Sequence, residues 1–112
     1  MKFKTKESKG VTVVELEGNI LGGPDASALN AQLHTLVTTE KKHIVVDLKD
    51  VSFINSSGLS ILIGGLTTMR KAGGDLKLAN ASKKIESVLE VTKLLKVFEL
   101  HKTVSDAVAS FK

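Results

Sequence analysis

The chain is 112 residues long, enough for one domain around a single core and too short for two. Sixteen Lys and Arg against twelve Asp and Glu leave a formal net charge of +4, yet the basic residues are scattered singly and in pairs. Four Phe with no Trp or Tyr offer few stacking platforms, which argues against direct nucleic-acid binding, and the absence of Cys excludes disulfides and thiolate chemistry.

The opening MKFKTKESKG alternates charge with single apolar residues and lacks the continuous apolar core of a signal peptide. Its KFKTKES segment can pair across Lys9-Gly10 with VTVVELEG, whose Val11, Val13 and Leu16 and terminal Gly18 predict a strand. A turn follows at Gly22, Gly23 and Pro24, then a helix whose apolar face carries Ala28, Leu29, Leu33, Leu36 and Val37. The run His43 to Leu48 is almost wholly apolar at its centre, as in a strand buried on both faces.

VSFINSSGLSILIGG, residues 51–65, then passes from one apolar segment through Asn55, Ser56, Ser57 and Gly58 into another. Leu59, Leu62, Ile63, Leu66 and Met69 recur at helical spacing, and Gly73-Gly74 supplies a stop. Asp75 to Ala79 predicts a strand, Ser82 a cap for a helix with Ile85, Val88 and Leu89, and Lys96 to Leu100 a further short strand. Thr103 precedes a last helix with Val104, Ala107, Val108 and Phe111 on one face. Phe3, Phe53, Phe98 and Phe111 are expected in the core. The order ββαβαβαβα implies an α/β fold: a mixed, mainly parallel central sheet of four to five strands flanked by about four helices. The longest strongly apolar stretch, Leu59 to Leu66, is far shorter than the ~20 residues that cross a bilayer, so the expectation is a cytoplasmic protein without membrane insertion.

Chemistry can be sought at three places. Ser56 or Ser57 at a strand-to-helix turn could be a nucleophile, but the Gly-x-Ser-x-Gly frame of a hydrolase elbow is missing, and sequence brings none of His34, His43 or His101 to it as a base. Those three His show no ligand spacing, so no metal site is expected. Gly22-Gly23-Pro24-Asp25 lacks both the ending of a P-loop and the spacing of a dinucleotide fingerprint; it reads as a turn with Pro24 opening a helix, a nucleotide or phosphate contact being the weaker reading. At Asn55-Ser56-Ser57-Gly58, Asn and Ser are good N-caps, and a helix start after a parallel strand lies where open α/β sheets commonly place binding sites.

The segment VVDLKDVSFINSSGLSILIGGL resembles the Asp-Ser-Ser-Gly-Leu region of bacterial anti-sigma factor antagonists, the STAS domain family, and the likeness continues through AGGDLKLANASKKIESVLEVTKLLKVFELHKTVSDAVASF. The resemblance implies a single STAS domain over residues 1–112, without enzymatic activity or cofactor of its own. It implies phosphorylation at Ser56, with Ser57 the second choice, by a partner that is both anti-sigma factor and serine kinase. It further implies that the unphosphorylated form binds that partner and frees sigma factor, and that a serine phosphatase restores this form. The partner-contacting residues it implies are Asn55, Ser56, Ser57, Gly58 and Leu59, with Gly22, Gly23 and Asp25 of the earlier turn. Asn55 stands where the motif usually has Asp, and the family's Gly-x-x-Asp turn appears as Gly18-Asn19-Ile20-Leu21 followed by Gly22-Gly23-Pro24-Asp25. An accessory STAS domain of a transporter or signalling assembly, with no phosphoserine switch, is the alternative; a nucleotide-binding domain is a weaker one.

Overall fold

The computed structural model describes residues 2–21, 24–39, 43–93 and 97–111, with backbone alone for residues 2, 24–26 and 37. Chain order gives β1 (Lys2–Ser8), β2 (Val11–Ile20), α1 (Pro24–Thr38), β3 (His43–Ile54), α2 (Ser56–Lys71), β4 (Asp75–Ala79), α3 (Lys83–Val91), β5 (Leu100–His101) and α4 (Val104–Ala109). The ββαβαβαβα order is the one the periodicities imply.

The first two strands form the expected hairpin. Lys9 at φ 52° and Gly10 at φ 81° turn the chain in two residues, with Ser8 opposite Val11. Positive φ at both turn positions matches the twist of the flanking strands and fixes the register. The strands then lie in the order β1-β2-β3-β4-β5, antiparallel between β1 and β2 and parallel thereafter. Each parallel pair needs a crossover, and right-handed crossovers between successive neighbours put α1, α2 and α3 on one face. Val14, Leu16, Ile44, Val46, Leu48, Leu76 and Leu78 of the strands meet Leu33, Leu62, Leu66 and Ile85 of those helices there. The short α4 covers the opposite face, where Val11, Val13, Val45 and Ala79 meet Ala107 and Val108. Both faces of β3 are thus covered at its centre, which explains its apolar run without alternation.

Several boundaries and orientations differ from the sequence expectation. β2 does not stop at Gly18 but runs on to Ile20, and β3 runs past Leu48 to Ile54, because the two remain paired as far as Ile20 opposite Ile54. Ala28 is exposed and lies outside the buried stripe of Leu29, Leu33 and Leu36; Val37 is beyond the side chains described. The fifth strand is Leu100–His101, not Lys96 to Leu100. Among the described residues, Leu78 opposite Leu100 and Ala79 opposite His101 form the pairing with β4, while Phe98, 3% exposed, fills the core, and Lys96 lies outside the described residues. Phe53 is not a core residue: it is 39% exposed. Between the pairs Gly18 with Val51 and Asn19 with Phe53, β3 carries one residue more than β2. That bulge breaks the in-out alternation and turns the ring outward.

One buried charge ties down the end of the chain. Lys77 on β4 is 6% exposed, and its Nζ donates to Ser110 Oγ at 2.7 Å, the Ser110 carbonyl at 3.2 Å and Glu99 Oε1 at 3.3 Å. The same Nζ sits 4.4 Å from the centroid of the Phe111 ring, which stacks on His43. A lysine in the sheet interior is tolerated only when its donors are satisfied, and here the segment after α4 supplies most of the acceptors.

Candidate functional site

The carboxyl end of β3 delivers the chain directly into α2. Ile54, 2% exposed, is the last strand residue in the core, and Asn55 then takes an extended backbone at φ −106° and ψ −177°. From that conformation its Oδ1 accepts the Gly58 N–H at 2.8 Å, while its carbonyl accepts the Leu59 N–H at 2.9 Å to open the helix. Asn55 is therefore the N-cap, satisfying an amide that has no partner within the helix. Its own N–H donates to the Ile20 carbonyl at 3.4 Å, tying the cap back to β2.

Ser56 and Ser57 occupy the first two positions of α2 and are both exposed. Ser56 accepts at its carbonyl from Ser60 Oγ at 3.1 Å. No acidic residue stands in the first turn of this helix, so the positive end of its dipole is not offset there. Gly58 and Leu59 turn inward instead. Leu59 is 4% exposed, and a Cβ on Gly58 would fall onto the Ile20 carbonyl oxygen, 2.8 Å from its carbon and 2.9 Å from Ile54 Cγ1. Glycine at this position lets the helix start sit directly on the end of β2. Of the five residues 55–59, then, the two serines face solvent, Asn55 is half-buried, and the last two seat the turn. Gly22 and Gly23 lie outside the described residues, and Asp25 is placed only as backbone in the first turn of α1.

No histidine is within bonding contact of the serines. His43 begins β3, at the opposite end of the strand from Ser56, and His101 Nε2 lies 2.7 Å from Glu99 Oε1. His34 is exposed on α1. Glu99 is partly desolvated, which opposes its ionisation, but hydrogen bonds from His101 and Lys77 and their charges together outweigh that and hold the carboxyl below its ordinary value. Together these contacts tie Glu99, just before β5, to Lys77 of β4 and His101 of β5. Among the described residues no group of three His, Asp or Glu could hold a metal ion, and no helix is long and apolar enough to cross a membrane.

A second capped helix start lies on the same edge of the sheet. Ser82 Oγ accepts the Ile85 N–H at 3.2 Å, and Lys83 and Lys84 then open α3. The Lys84 ammonium rests 5.2 Å from the centroid of the outward Phe53 ring. Sequence periodicity missed this contact. Its trace in the sequence is the polar interruption of β3 by Lys49, Asp50 and Ser52, around the places where the pairing with β2 shifts register.

With this geometry in place, likeness to known proteins becomes informative. A family model for the STAS domain matches residues 2–107. The anti-sigma-B factor antagonist of Bacillus subtilis is 28% identical over 88 residues, covering 77% of this chain and 81% of its own. The crystal structure of an anti-sigma factor antagonist from Mycobacterium paratuberculosis superposes with a TM-score of 0.82 at 27% identity, covering 98% of this chain and 92% of that one. The Bacillus cell fate determinant SpoIIAA, solved in its phosphorylated form, shares the fold at a TM-score of 0.74 and 18% identity over 99% of this chain and 100% of its own. A five-stranded sheet, a capped Ser-Ser-Gly-Leu helix start at its carboxyl edge and a family match across nearly the whole chain converge: the protein belongs to the STAS domain family, and its relatives include anti-sigma factor antagonists.

Proposed function

We propose that the unphosphorylated protein binds, in the cytoplasm, an anti-sigma factor that is also a serine kinase, and that phosphorylation of Ser56 ends this binding. The observation that carries the reading is the exposed Ser56 at the first position of α2, at the carboxyl end of a central strand, with the cap supplied by Asn55 rather than by the serine itself. Its hydroxyl is consequently free for modification without loss of the cap. In the transfer, Ser56 Oγ forms a bond to the γ-phosphorus of ATP, the bond to the β-phosphate oxygen breaks, ADP leaves, and a base on the kinase takes the hydroxyl proton. A metal-dependent serine phosphatase hydrolyses the ester and returns the binding form. The chain itself binds and does not catalyse. Phosphorylated SpoIIAA, a protein of the same fold, supports a phosphate being compatible with this architecture.

The switch is intermolecular. A phosphate adds about −1.5 to −2 charge, and the α2 amino terminus favours negative charge by about 0.3–1 kcal/mol, so the fold tolerates it. A partner carboxylate at roughly 6 Å opposes each unit of that charge by about 3 kcal/mol at an effective dielectric of 20, before screening. Repulsion across the interface outweighs the local gain. The test is binding of Ser56→Ala and Ser56→Asp to the host's serine-kinase anti-sigma factors by calorimetry, with phosphopeptide mapping after incubation with ATP. Binding kept by Ala and lost by Asp, with phosphate on Ser56, supports the proposal. Equal affinity of two folded variants overturns it, and phosphate confined to Ser57 moves the site by one residue.

A further inference from the structure

Resting on that reading, we infer that Phe53 and Lys84 form a second recognition element for the same partner, an aromatic anchor with a cation held above it. Phe53 precedes the buried Ile54 by one residue and Ser56 by three, and the bulge in β3 leaves its ring 39% exposed. Leu21, 46% exposed, follows Ile20, whose strand partner is Ile54, so the interior strands β2 and β3 each place an outward apolar side chain next to that buried terminal pair. An exposed aromatic beside a modifiable serine is costly to leave in water and is the residue type that anchors interfaces.

Lys84 identifies what the occupant is made of. It stands with Lys83 in the first turn of α3, where the helix dipole disfavours cations. Among the described residues neither forms an ion pair with a carboxylate; the described contact of Lys84 is the Phe53 ring at 5.2 Å. Glu86 is the acidic residue of that turn and forms no ion pair with Lys84 among the described residues; a cation set against its own helix dipole and held over an exposed ring complements a carboxylate arriving from outside. The occupant is therefore a segment of the kinase partner that carries an apolar side chain to cover Phe53 and an acidic one to meet Lys84. The same arrangement accounts for the direction of the switch: an acidic partner surface drawn in by Lys84 is the surface that a phosphate on Ser56 repels.

The experiment uses the full chain and the purified serine-kinase anti-sigma factor that the wild type binds. Both side chains are exposed, so Phe53→Ala and Lys84→Glu keep the wild-type melting transition, checked by circular dichroism. Expected are a loss of affinity of about tenfold or more for Phe53→Ala, several-fold for Lys84→Ala, more for Lys84→Glu, and near wild-type binding for Lys84→Arg. The double variant Phe53→Ala/Lys84→Ala should lose less than the sum of the singles, because the two groups touch. If Ser56→Asp weakens binding while Phe53→Ala and Lys84→Glu bind as the wild type does, this inference is overturned and the phosphorylation switch stands. A wild type that binds no such kinase overturns both. Self-association that disappears in Phe53→Ala would place a second copy on the ring and overturn the assignment to the kinase.

Discussion

Replacing Gly58 by Ala adds one methyl group at the start of α2 and should cost more than that change ordinarily does. The new Cβ would strike the Ile20 carbonyl oxygen and press on Ile54 Cγ1 at 2.9 Å. Backbone is the obstacle, so the helix start must lift. Overpacking of this kind costs about 1–3 kcal/mol, and lifting the turn also lengthens the 2.8 Å cap bond from the Gly58 N–H to Asn55, worth about 1 kcal/mol. Exchange of glycine for alanine in a helix returns up to about 1 kcal/mol. The net loss is about 1–3 kcal/mol, a drop in melting temperature of roughly 4–13 °C for a chain of this size. Gly64 supplies the control within the same helix: nothing lies within 4 Å of its would-be Cβ, so Gly64→Ala should stabilise by about 0.5–1 kcal/mol. Urea unfolding of both variants, with phosphorylation kinetics at Ser56, measures the effect. Gly58→Ala should fall in midpoint and in phosphorylation rate, and Gly64→Ala should rise in midpoint with the rate unchanged. A Gly58→Ala protein as stable as Gly64→Ala would refute the close seating of α2 on β2.

Three other outcomes follow from the geometry. Lys77→Met keeps bulk on β4 but removes the donor to Ser110 and Glu99, so stability should fall by about 2 kcal/mol and the amides of α4 should lose protection from hydrogen exchange ahead of the rest. Glu99 has a folded-state value held below its ordinary 4.5, so the stability it contributes is present above about pH 4.5 and is lost as the pH falls through the lowered value; Glu99→Gln should flatten the acid limb of the urea midpoint, and an unchanged slope would contradict the assignment. Asn55→Asp should preserve the cap, since either side chain accepts the Gly58 N–H, but should raise the second ionisation of a phosphate on Ser56, read by 31P NMR titration against the Asn55 protein.

Local chemistry made much of this site legible. Asn55 before two serines and a glycine, followed by Leu59, Leu62, Leu66 and Met69 at helical spacing, specifies a cap and a buried stripe, and the structure has both. The hairpin at Lys9-Gly10, the cap Ser82 and the helix start after Thr103 were equally readable, because each depends on neighbours within four residues. Phe53 was not, since its direction depends on an extra residue of β3 relative to β2, a relation between strands separated by a helix. Lys77 was hidden for a similar reason. In DLKLA it reads as the polar position of an alternating strand, and only the return of α4 and Ser110 across that face buries it. Gly58 looked like part of a polar turn, whereas its necessity comes from a carbonyl 38 positions earlier in the chain.

The turn at Lys9 and Gly10 has a practical value. It joins β1 to the start of β2, so it stands at the amino edge of the parallel strands, whereas Ser56 stands at their carboxyl edge. The ten residues of β2 span about 30 Å between the two. A fluorophore or affinity handle spliced into the hairpin tip rides on the far end of the same sheet, away from the Ser56 edge. The protein can thus be immobilised or labelled there while the binding proposed for the Ser56 edge is followed in real time.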